Sequence, residues 1–189
     1  MNADIFTQAR SAKIYTDTPV DPAKLRALYD LAKWAPTESN TCPMRLLFIQ
    51  SKDAKARLLP AIAAGNVAKV ESAPVTAVVA FDTAFTEKLA LLAPHMPSPS
   101  YFDHMSADAK AFSGYRSTHL QAGMLIAAAR SMGLDCGPLA GFDRAAVDAE
   151  FFADSTWQTS FLIMLGVADT TQSYPRGPRL SFEEACQVI

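Results

Sequence analysis

The run Pro74–Phe81 (PVTAVVAF) constrains the fold more than any other segment of this chain. It is rich in valine and almost entirely apolar, which is typical of a β-strand that is buried on both faces. A second run of the same kind covers Ser160–Val167 (SFLIMLGV), and Leu46–Gln50 forms a shorter apolar run. The sequence therefore predicts several strands in the interior of the protein.

Helical patterns occupy much of the remaining chain. Asp21 followed by Pro22 predicts a helix start, and apolar residues then recur at helical spacing until Pro36. The other predicted helices cover residues 53–63, the long segment Ser106–Met132 with Gly133 as its C-cap, the segment from Asp143 to Phe152, and a short terminal helix with a capping box of Ser181 and Glu184. Helices and strands in this mixed order predict an α+β fold.

Composition narrows the classes of function. The chain has 189 residues, of which 50% are hydrophobic and 19% charged, and this favours one globular domain over residues 1–189. The net charge of −2 gives no reason to expect nucleic acid or an acidic membrane surface as a partner. No apolar run reaches the roughly 18 to 20 residues of a membrane span. The three cysteines have neither metal-ligand spacing nor an even number for disulfides, so we expect a cytoplasmic protein.

Several familiar catalytic motifs are absent from the sequence. No GxGxxG follows a predicted strand, and no GxxxxGK(S/T) phosphate loop occurs, so the common dinucleotide and nucleoside triphosphate folds are not predicted. HExxH and GxSxG are also missing. The three histidines do not cluster with cysteine or carboxylate residues, so we predict no metal site. A serine or cysteine hydrolase is unsupported.

Cationic residues near the two ends of the chain are the remaining polar feature. Arg10, Ser11 and Lys13 lie close together near the start, and Arg176 and Arg179 lie in a stretch broken by proline and glycine near the end. Arginine offers fixed hydrogen-bond donors, and a serine hydroxyl adds another. These residue types suit a phosphate group, although each pair alone is also typical of solvated surface.

Taken together, five segments of the chain resemble the FMN-dependent nitroreductase family. The resemblance runs through the chain in the family's order and rests on ARSAKIYTDTPV, WAPTESNTCPMRLLFI, GNVAKVESAPVTAVVAF, GLDCGPLAGFD and GPRLSFEEACQVI. It implies a nitroreductase-like fold, in which a mostly antiparallel sheet is flanked by helices. It also implies a homodimer with FMN at the subunit interface, NADH or NADPH as electron donor, and a small-molecule substrate.

The resemblance also implies which residues bind the flavin. The matching positions are Arg10, Ser11, Lys13, Pro36, Thr37, Asn40, Asn66, Lys69, Ala140, Gly141 and Arg179. On this match, the Arg10–Lys13 segment and Arg179 hold the phosphate and ribityl groups, and Asn40 contacts the flavin of the partner subunit. Lys69 lies at the pyrimidine edge of the ring, where an ammonium group stabilises the negatively charged reduced flavin. Because the flavin carries the hydride, no catalytic side chain is required.

Within the family, the chain is similar to the malonic semialdehyde reductase branch of pyrimidine degradation. This resemblance predicts reduction of malonic semialdehyde to 3-hydroxypropionate. Arg45 and Arg116 are the candidate partners of the substrate carboxylate, although each alone is also typical of an ordinary surface or helix arginine. Tyr101 and Phe102 of the proline-rich segment 93–104 are candidates to close over the substrate. Two alternatives stay open at this point: a broad nitroreductase, quinone or enal reductase, and a flavin-binding module without turnover.

Overall fold

A four-stranded antiparallel sheet forms the centre of the protein. The computed structural model describes residues 4–98 and 100–189. The strands are β1 (Met44–Ile49), β2 (Val75–Asp82), β3 (Asp135–Leu139) and β4 (Trp157–Gly166). They are ordered β1-β2-β4-β3, so β1 and β3 form the two edges. Every pair of neighbours is antiparallel, which confirms the expected α+β fold with an antiparallel sheet.

Helices cover both faces of the sheet. Within the described residues they are α1 (Asp4–Thr7), α2 (Pro22–Ala32), α3 (Lys52–Leu58), α4 (Val67–Ser72), α5 (Leu89–Leu92), α6 (Ala107–Ser131), α7 (Arg144–Phe151) and α8 (Phe182–Ala185). Short 3-10 turns occur at Glu38–Asn40, Leu59–Ala61, Ala64–Asn66, Phe85–Lys88, Tyr101–His104 and Thr170–Gln172. None of the helices in residues 4–98 and 100–189 combines the length and hydrophobicity needed to cross a bilayer.

The position of strand β2 inside the sheet explains why its sequence is apolar at nearly every position. Val75, Ala77 and Val79 pack in one apolar cluster with side chains of α2 and α6. Val78 and Ala80 point to the opposite face and pack with side chains of α3, α4 and α7. Since successive side chains of a strand alternate between faces, a strand covered on both sides is apolar at most positions, and the polar exceptions in β2 are Thr76 and Asp82. The prediction of a strand buried on both faces is confirmed.

Two predicted helices are shorter than the sequence pattern indicated. The first ends at Ala32 rather than near Pro36, and a turn of residues 33–35 leads to the proline, which disfavours helical backbone angles at the residue before it. The predicted helix over residues 53–63 ends at Leu58 and continues as a 3-10 turn that contains Pro60. Proline has no N–H to donate to the preceding turn, so the α-helix stops there.

Strand β3 was not predicted, because its sequence DCGPL contains two residues that strands usually avoid. Pro138 is tolerated because β3 is an edge strand, whose outer side needs no N–H donor. Gly137 is required by close packing. A Cβ atom at this position would lie 2.7 Å from both the Lys69 Cε and the Tyr15 hydroxyl, and 2.9 Å from the Ala12 carbonyl oxygen.

The long helix α6 ends as predicted, with Gly133 in the left-handed region at φ +73°. We expect Gly133→Ala to destabilise the protein by roughly 1–2 kcal/mol, since a Cβ atom is strained at this φ although the space around it is open. Asparagine tolerates this conformation better than alanine, and a β-branched residue tolerates it worse. The loss of unfolding free energy, measured by urea denaturation, should therefore be smallest in Gly133→Asn, intermediate in Gly133→Ala and largest in Gly133→Val. Equal losses in the three variants would show that backbone strain is not the cause.

Candidate functional site

The N-terminal segment is attached to the edge of strand β3. The amide of Ala12 donates to the carbonyl of Cys136 at 3.1 Å, and Ser11 forms a parallel bridge with the same residue. The C-terminal tail is attached to the N-terminal segment in turn, because Arg176 donates to the carbonyl oxygens of Thr7 and Ala9. Residues from the two ends of the chain thus meet beside β3.

A cavity of about 240 Å³ lies between these chain ends, and we call it the cationic cavity. Its lining residues are Phe6, Ala9, Arg10, Ser11, Lys13, Arg130, Ser173, Tyr174, Pro175, Arg176, Gly177 and Arg179. Five of these residues are Arg or Lys, and no carboxylate is among those that line it in the described part of the chain. Desolvation by the surrounding protein, followed by the neighbouring charges of Arg10, Arg179 and Arg130, lowers the pKa of Arg176. Such an arrangement favours an anionic ligand.

Three of the predicted phosphate contacts (Arg10, Lys13 and Arg179) and the hydroxyl residue Ser11 meet in this cavity. Arg130 was missed, because a cation in the last turn of a helix is an ordinary helix-stabilising residue in sequence. Its Nη1 donates to the Ile5 carbonyl at 3.4 Å, and its buried Nε has no hydrogen-bond partner among the described residues. The fold, rather than any spacing in the sequence, brings Arg130 to the cavity.

Lys69 lies next to the cationic cavity, on the surface of β3. Its Nζ donates to the Pro138 carbonyl at 3.3 Å, and its aliphatic chain lies where a Cβ of residue 137 would stand. Burial, and to a smaller extent the charge of Lys13, lowers the pKa of Lys69. A half-buried ammonium group beside a second ammonium group is unfavourable by itself, and an anion between them would relieve that repulsion.

Asn66 and the turn Ala140–Gly141 continue the same surface. The Asn66 side chain donates to the Gly141 carbonyl at 3.2 Å, and the Ala63 amide donates to the same oxygen at 3.1 Å. A Cβ at position 141 would lie 2.5 Å from the Asn66 Nδ2, so a larger residue there would displace the Asn66 side chain. The structure thus brings Asn66, Lys69, Ala140 and Gly141 together with the phosphate-binding residues at the β3 edge.

The loop Pro36–Cys42 lies at the other edge of the sheet, directly before β1. Three strand spacings separate this edge from β3, which is about 14 Å. The Asn40 side chain donates to the Leu92 carbonyl at 2.6 Å, so it is also held on the β1 side. Within one chain, the predicted flavin contacts Pro36, Thr37 and Asn40 are therefore not brought to the other predicted contacts.

Glu38 links this loop to helix α6. Its carboxylate accepts hydrogen bonds from the hydroxyls of Tyr101 and Ser113 and an ion-paired hydrogen bond from Arg116. The hydrogen bond from Ser113 contributes most to holding the pKa of Glu38 below its usual value of 4.5. A second cavity, of about 590 Å³, opens beside this carboxylate and is called the α6 cavity; its lining residues are Glu38, Phe112, Tyr115, Arg116, Ser117, His119 and Leu120.

The structure shows what surrounds each of the predicted substrate residues. Phe102 is fully buried and packs edge-on against Phe85, so a substrate contact through this side chain is wrong. Arg45 of β1 forms an ion pair with Asp82 of β2 at 2.6 Å. Arg116 and Tyr101 both bond to Glu38 at the α6 cavity. Within the segment 93–104, Pro99 lies outside the described residues.

Comparison with known proteins identifies the family. The model of the Nitroreductase family matches residues 6–167. The chain belongs to this family. It is 44% identical over 185 residues to a protein of Ralstonia nicotianae with the provisional name NADH dehydrogenase/NAD(P)H nitroreductase, and the match covers 98% of this chain and 94% of that protein. A Xanthomonas oryzae protein of the same provisional name is 47% identical over 183 residues, which cover 97% of this chain and 93% of the relative.

A solved nitroreductase from Exiguobacterium sibiricum, crystallised in complex with FMN, has the same fold with a TM-score of 0.87. The sequences are 22% identical, and the match covers 98% of this chain and 96% of the other. The resemblance to the nitroreductase family, and with it an oxidoreductase enzyme, is thereby confirmed. An FMN-bound protein shares the fold, and NAD(P)H appears in the names of the relatives.

The residues at the β3 edge fit an FMN group. A nitroreductase-family flavin needs room for a phosphate dianion and for a planar ring lying close to the backbone. The cationic cavity supplies five positive side chains, with no carboxylate among the described lining residues, and Gly137 and Gly141 leave the backbone beside Lys69 and Asn66 without side-chain atoms. The donors of this chain therefore match the charge and the shape of the cofactor.

We expect Lys69→Met to stabilise the FMN-free protein at pH 7 while weakening FMN binding by roughly tenfold or more. The lowered pKa of Lys69 means that the folded chain binds this proton less tightly than the unfolded chain, so the charge destabilises the fold below that pKa. The stabilisation should shrink as the pH rises toward the ordinary lysine value of 10.5. Thermal unfolding without FMN and fluorescence titration with FMN measure the two effects.

Lys55→Met is the matched control for this prediction. Burial also lowers the pKa of Lys55, but its ammonium group donates to the carbonyls of Glu71 and Ala73 at 3.0 and 2.6 Å. These contacts lie outside the candidate cofactor site, so Lys55→Met should leave FMN affinity unchanged. If Lys55→Met weakened FMN binding as much as Lys69→Met does, or if Lys69→Met bound FMN normally, Lys69 would not belong to the cofactor site.

Proposed function

We propose that this chain is an FMN-dependent NAD(P)H oxidoreductase that reduces small, uncharged organic acceptors such as nitroarenes, quinones or enals. The observation that carries the proposal is the cationic cavity. Among the described residues its lining holds five positive side chains and no carboxylate, and the cavity continues into the surface formed by Lys69, Asn66 and Gly141. Family membership, and the FMN held by a protein of the same fold, support the same cofactor here.

Each group of residues has a separate task in this proposal. Arg10, Ser11, Lys13 and Arg179, together with Arg130, hold the phosphate. Asn66 and the Ala140–Gly141 turn orient the ring, and Lys69 supplies a positive charge beside it. FMN, when bound, relays a hydride from NAD(P)H to the acceptor, so the protein itself needs no nucleophile. The chain's own contribution is binding, orientation and electrostatic stabilisation.

The preference for an uncharged acceptor rests on the pairing of the candidate cations. Arg45 is paired with Asp82, and Arg116 is paired with Glu38. A substrate carboxylate at either position would have to compete with a carboxylate of the protein. Malonic semialdehyde remains the second candidate, and the observation that favours it is the exposed guanidinium of Arg116 at the wall of the α6 cavity.

Absorbance spectroscopy under anaerobic conditions tests the function. The protein loaded with FMN should be yellow, should be bleached by NADH or NADPH, and should regain its colour when an acceptor is added. We expect a nitroarene and an uncharged enal to restore the colour faster than malonic semialdehyde, because they lack a carboxylate.

Other outcomes would replace the proposal by a defined alternative. A protein that stays colourless after incubation with FMN has no flavin site. A yellow protein that NAD(P)H does not bleach is a flavin-binding module without turnover. A kcat/KM for malonic semialdehyde above those of the nitroarene and of an uncharged aldehyde of equal length would establish the semialdehyde reductase as the better description.

We further propose that the chain acts as a homodimer in which each flavin lies between two subunits. The support is the separation of the Asn40 loop from Lys69 across the sheet, since a second copy can supply Asn40 where one chain does not. Mixing the variants Lys69→Met and Asn40→Ala tests this arrangement. A mixed dimer contains one site with both native residues.

In a statistical mixture of the two variants, about one quarter of all sites should recover native FMN affinity. The mixture is prepared by joint refolding of differently tagged chains, and the recovered sites are counted by FMN titration. Each variant alone is the control and should show no native sites. If mixing restored nothing while both variants dimerised, Asn40 and Lys69 would not share a site across the interface.

A further inference from the structure

The pair Glu38–Arg116 sits in the wall of the α6 cavity, among apolar side chains. The guanidinium donates from Nη2 to the Glu38 Oε2 at 3.0 Å and also lies 5.1 Å from the centre of the Phe112 ring. The side chains of Arg116 and Glu38 are 57% and 30% exposed, so both charges face the space in which a ligand of the cavity would lie.

The carboxylate of this pair is held more firmly than an ordinary surface carboxylate. Ser113 and Tyr101 donate to its two oxygens, and the Glu38 amide donates to the Ser117 hydroxyl at 3.2 Å. These bonds come from two different elements, helix α6 and the 3-10 turn Tyr101–His104. Because its pKa is lowered, Glu38 stays ionised at neutral pH and keeps the charge of Arg116 compensated.

From this geometry we infer that Glu38 determines the charge specificity of the acceptor site by neutralising Arg116. The inference rests on the proposed function and on the proposed homodimer, in which the loop that carries Glu38 and Asn40 lies at the flavin of the partner subunit and brings the α6 cavity beside it. An acceptor with a carboxylate meets a guanidinium that is already paired and a carboxylate that repels it. An uncharged aromatic or conjugated acceptor meets the apolar side chains of Phe112, Tyr115 and Leu120.

The inference predicts a pattern across four proteins: the native chain, Glu38→Gln, Arg116→Met and the double variant. The measured quantity is the ratio of kcat/KM for 4-nitrobenzoate to kcat/KM for 4-nitrobenzamide, two acceptors that differ by one charge. The ratio should rise roughly threefold or more in Glu38→Gln, where the guanidinium is free. It should fall in Arg116→Met, where the carboxylate is alone. In the double variant it should return close to the native value, because no net charge remains.

A binding measurement makes the test independent of turnover. Benzoate and benzamide cannot be reduced, so calorimetric titration of the FMN-loaded proteins gives their Kd values directly. The ratio of the Kd of benzamide to the Kd of benzoate should rise and fall across the four proteins in the same order as the ratio of kcat/KM. Glu150→Gln is the matched control, since Glu150 forms an ion pair with Arg57 at 2.9 Å outside the α6 cavity. In Glu150→Gln, the ratio of kcat/KM for the charged to the uncharged acceptor should equal that of the native protein.

The possible failures are distinguishable. If the native protein bleaches with NAD(P)H and reduces 4-nitrobenzamide, but the ratio is the same in all variants, the inference about Glu38 is overturned and the proposed function stands. If the native protein prefers 4-nitrobenzoate, the inference is overturned as well. If neither acceptor restores the colour of the reduced native protein, the proposed function itself fails. If Glu38→Gln does not fold, the inference is tested by Arg116→Met, a substitution at an exposed position. The ratio of kcat/KM for 4-nitrobenzoate to that for 4-nitrobenzamide should fall in this variant, and an unchanged ratio would overturn the inference.

Discussion

The hydrogen bond from the Ala12 amide to the Cys136 carbonyl is the contact on which the candidate cofactor site depends. It lays the N-terminal segment along the edge of β3, so that Lys13 arrives beside Lys69 and Arg10 lines the cationic cavity. An edge strand is the place in a sheet where an unpaired row of backbone groups can accept such a segment. Arg176 then binds the C-terminal tail to the N-terminal segment and closes the cationic cavity. The site is thus assembled from both chain ends, through a backbone contact at β3 and through the side chain of Arg176.

The charges of this site cost stability in the absence of an anion. Elsewhere in the described chain, several basic residues have acidic partners: Arg45 with Asp82, Arg57 with Glu150, and Lys33 with Asp30. In the cationic cavity, the guanidinium and ammonium groups instead face one another and main-chain carbonyls. A fold that leaves this repulsion in place gains affinity for a dianion, because the ligand then relieves the repulsion as it binds. The unpaired cations are therefore better explained by binding than by folding.

The sequence predicted those features that depend on local pattern. The buried strand β2, the cap at Gly133 and the cationic residues near both ends follow from periodicity, backbone angles and composition. The features that it did not predict depend on the tertiary structure. Arg130 joins the cavity only because α6 ends next to the N-terminal segment, and β3 pairs despite Gly137 and Pro138 because it lies at the sheet edge. Phe102 is an aromatic residue in a proline-rich segment, and its burial against Phe85 has no local signature.

The loop before β1 couples backbone strain to the charge of the α6 cavity. Ser39, Asn40 and Cys42 have φ values of 49°, 55° and 43°, and such angles cost non-glycine residues roughly 1–3 kcal/mol each. The surrounding bonds hold the loop in this form: Glu38 to α6 and Tyr101, Asn40 to Leu92, and the Cys42 amide to Thr37.

One carboxylate therefore serves two purposes, since Glu38 fixes the strained loop and also compensates Arg116. A glutamine at this position retains an oxygen that accepts hydrogen bonds but loses the charge, whereas an alanine would lose both. The amide substitution thus separates electrostatics from loop geometry. That separation is possible because the hydrogen bonds of Glu38 come from hydroxyl groups as well as from the guanidinium.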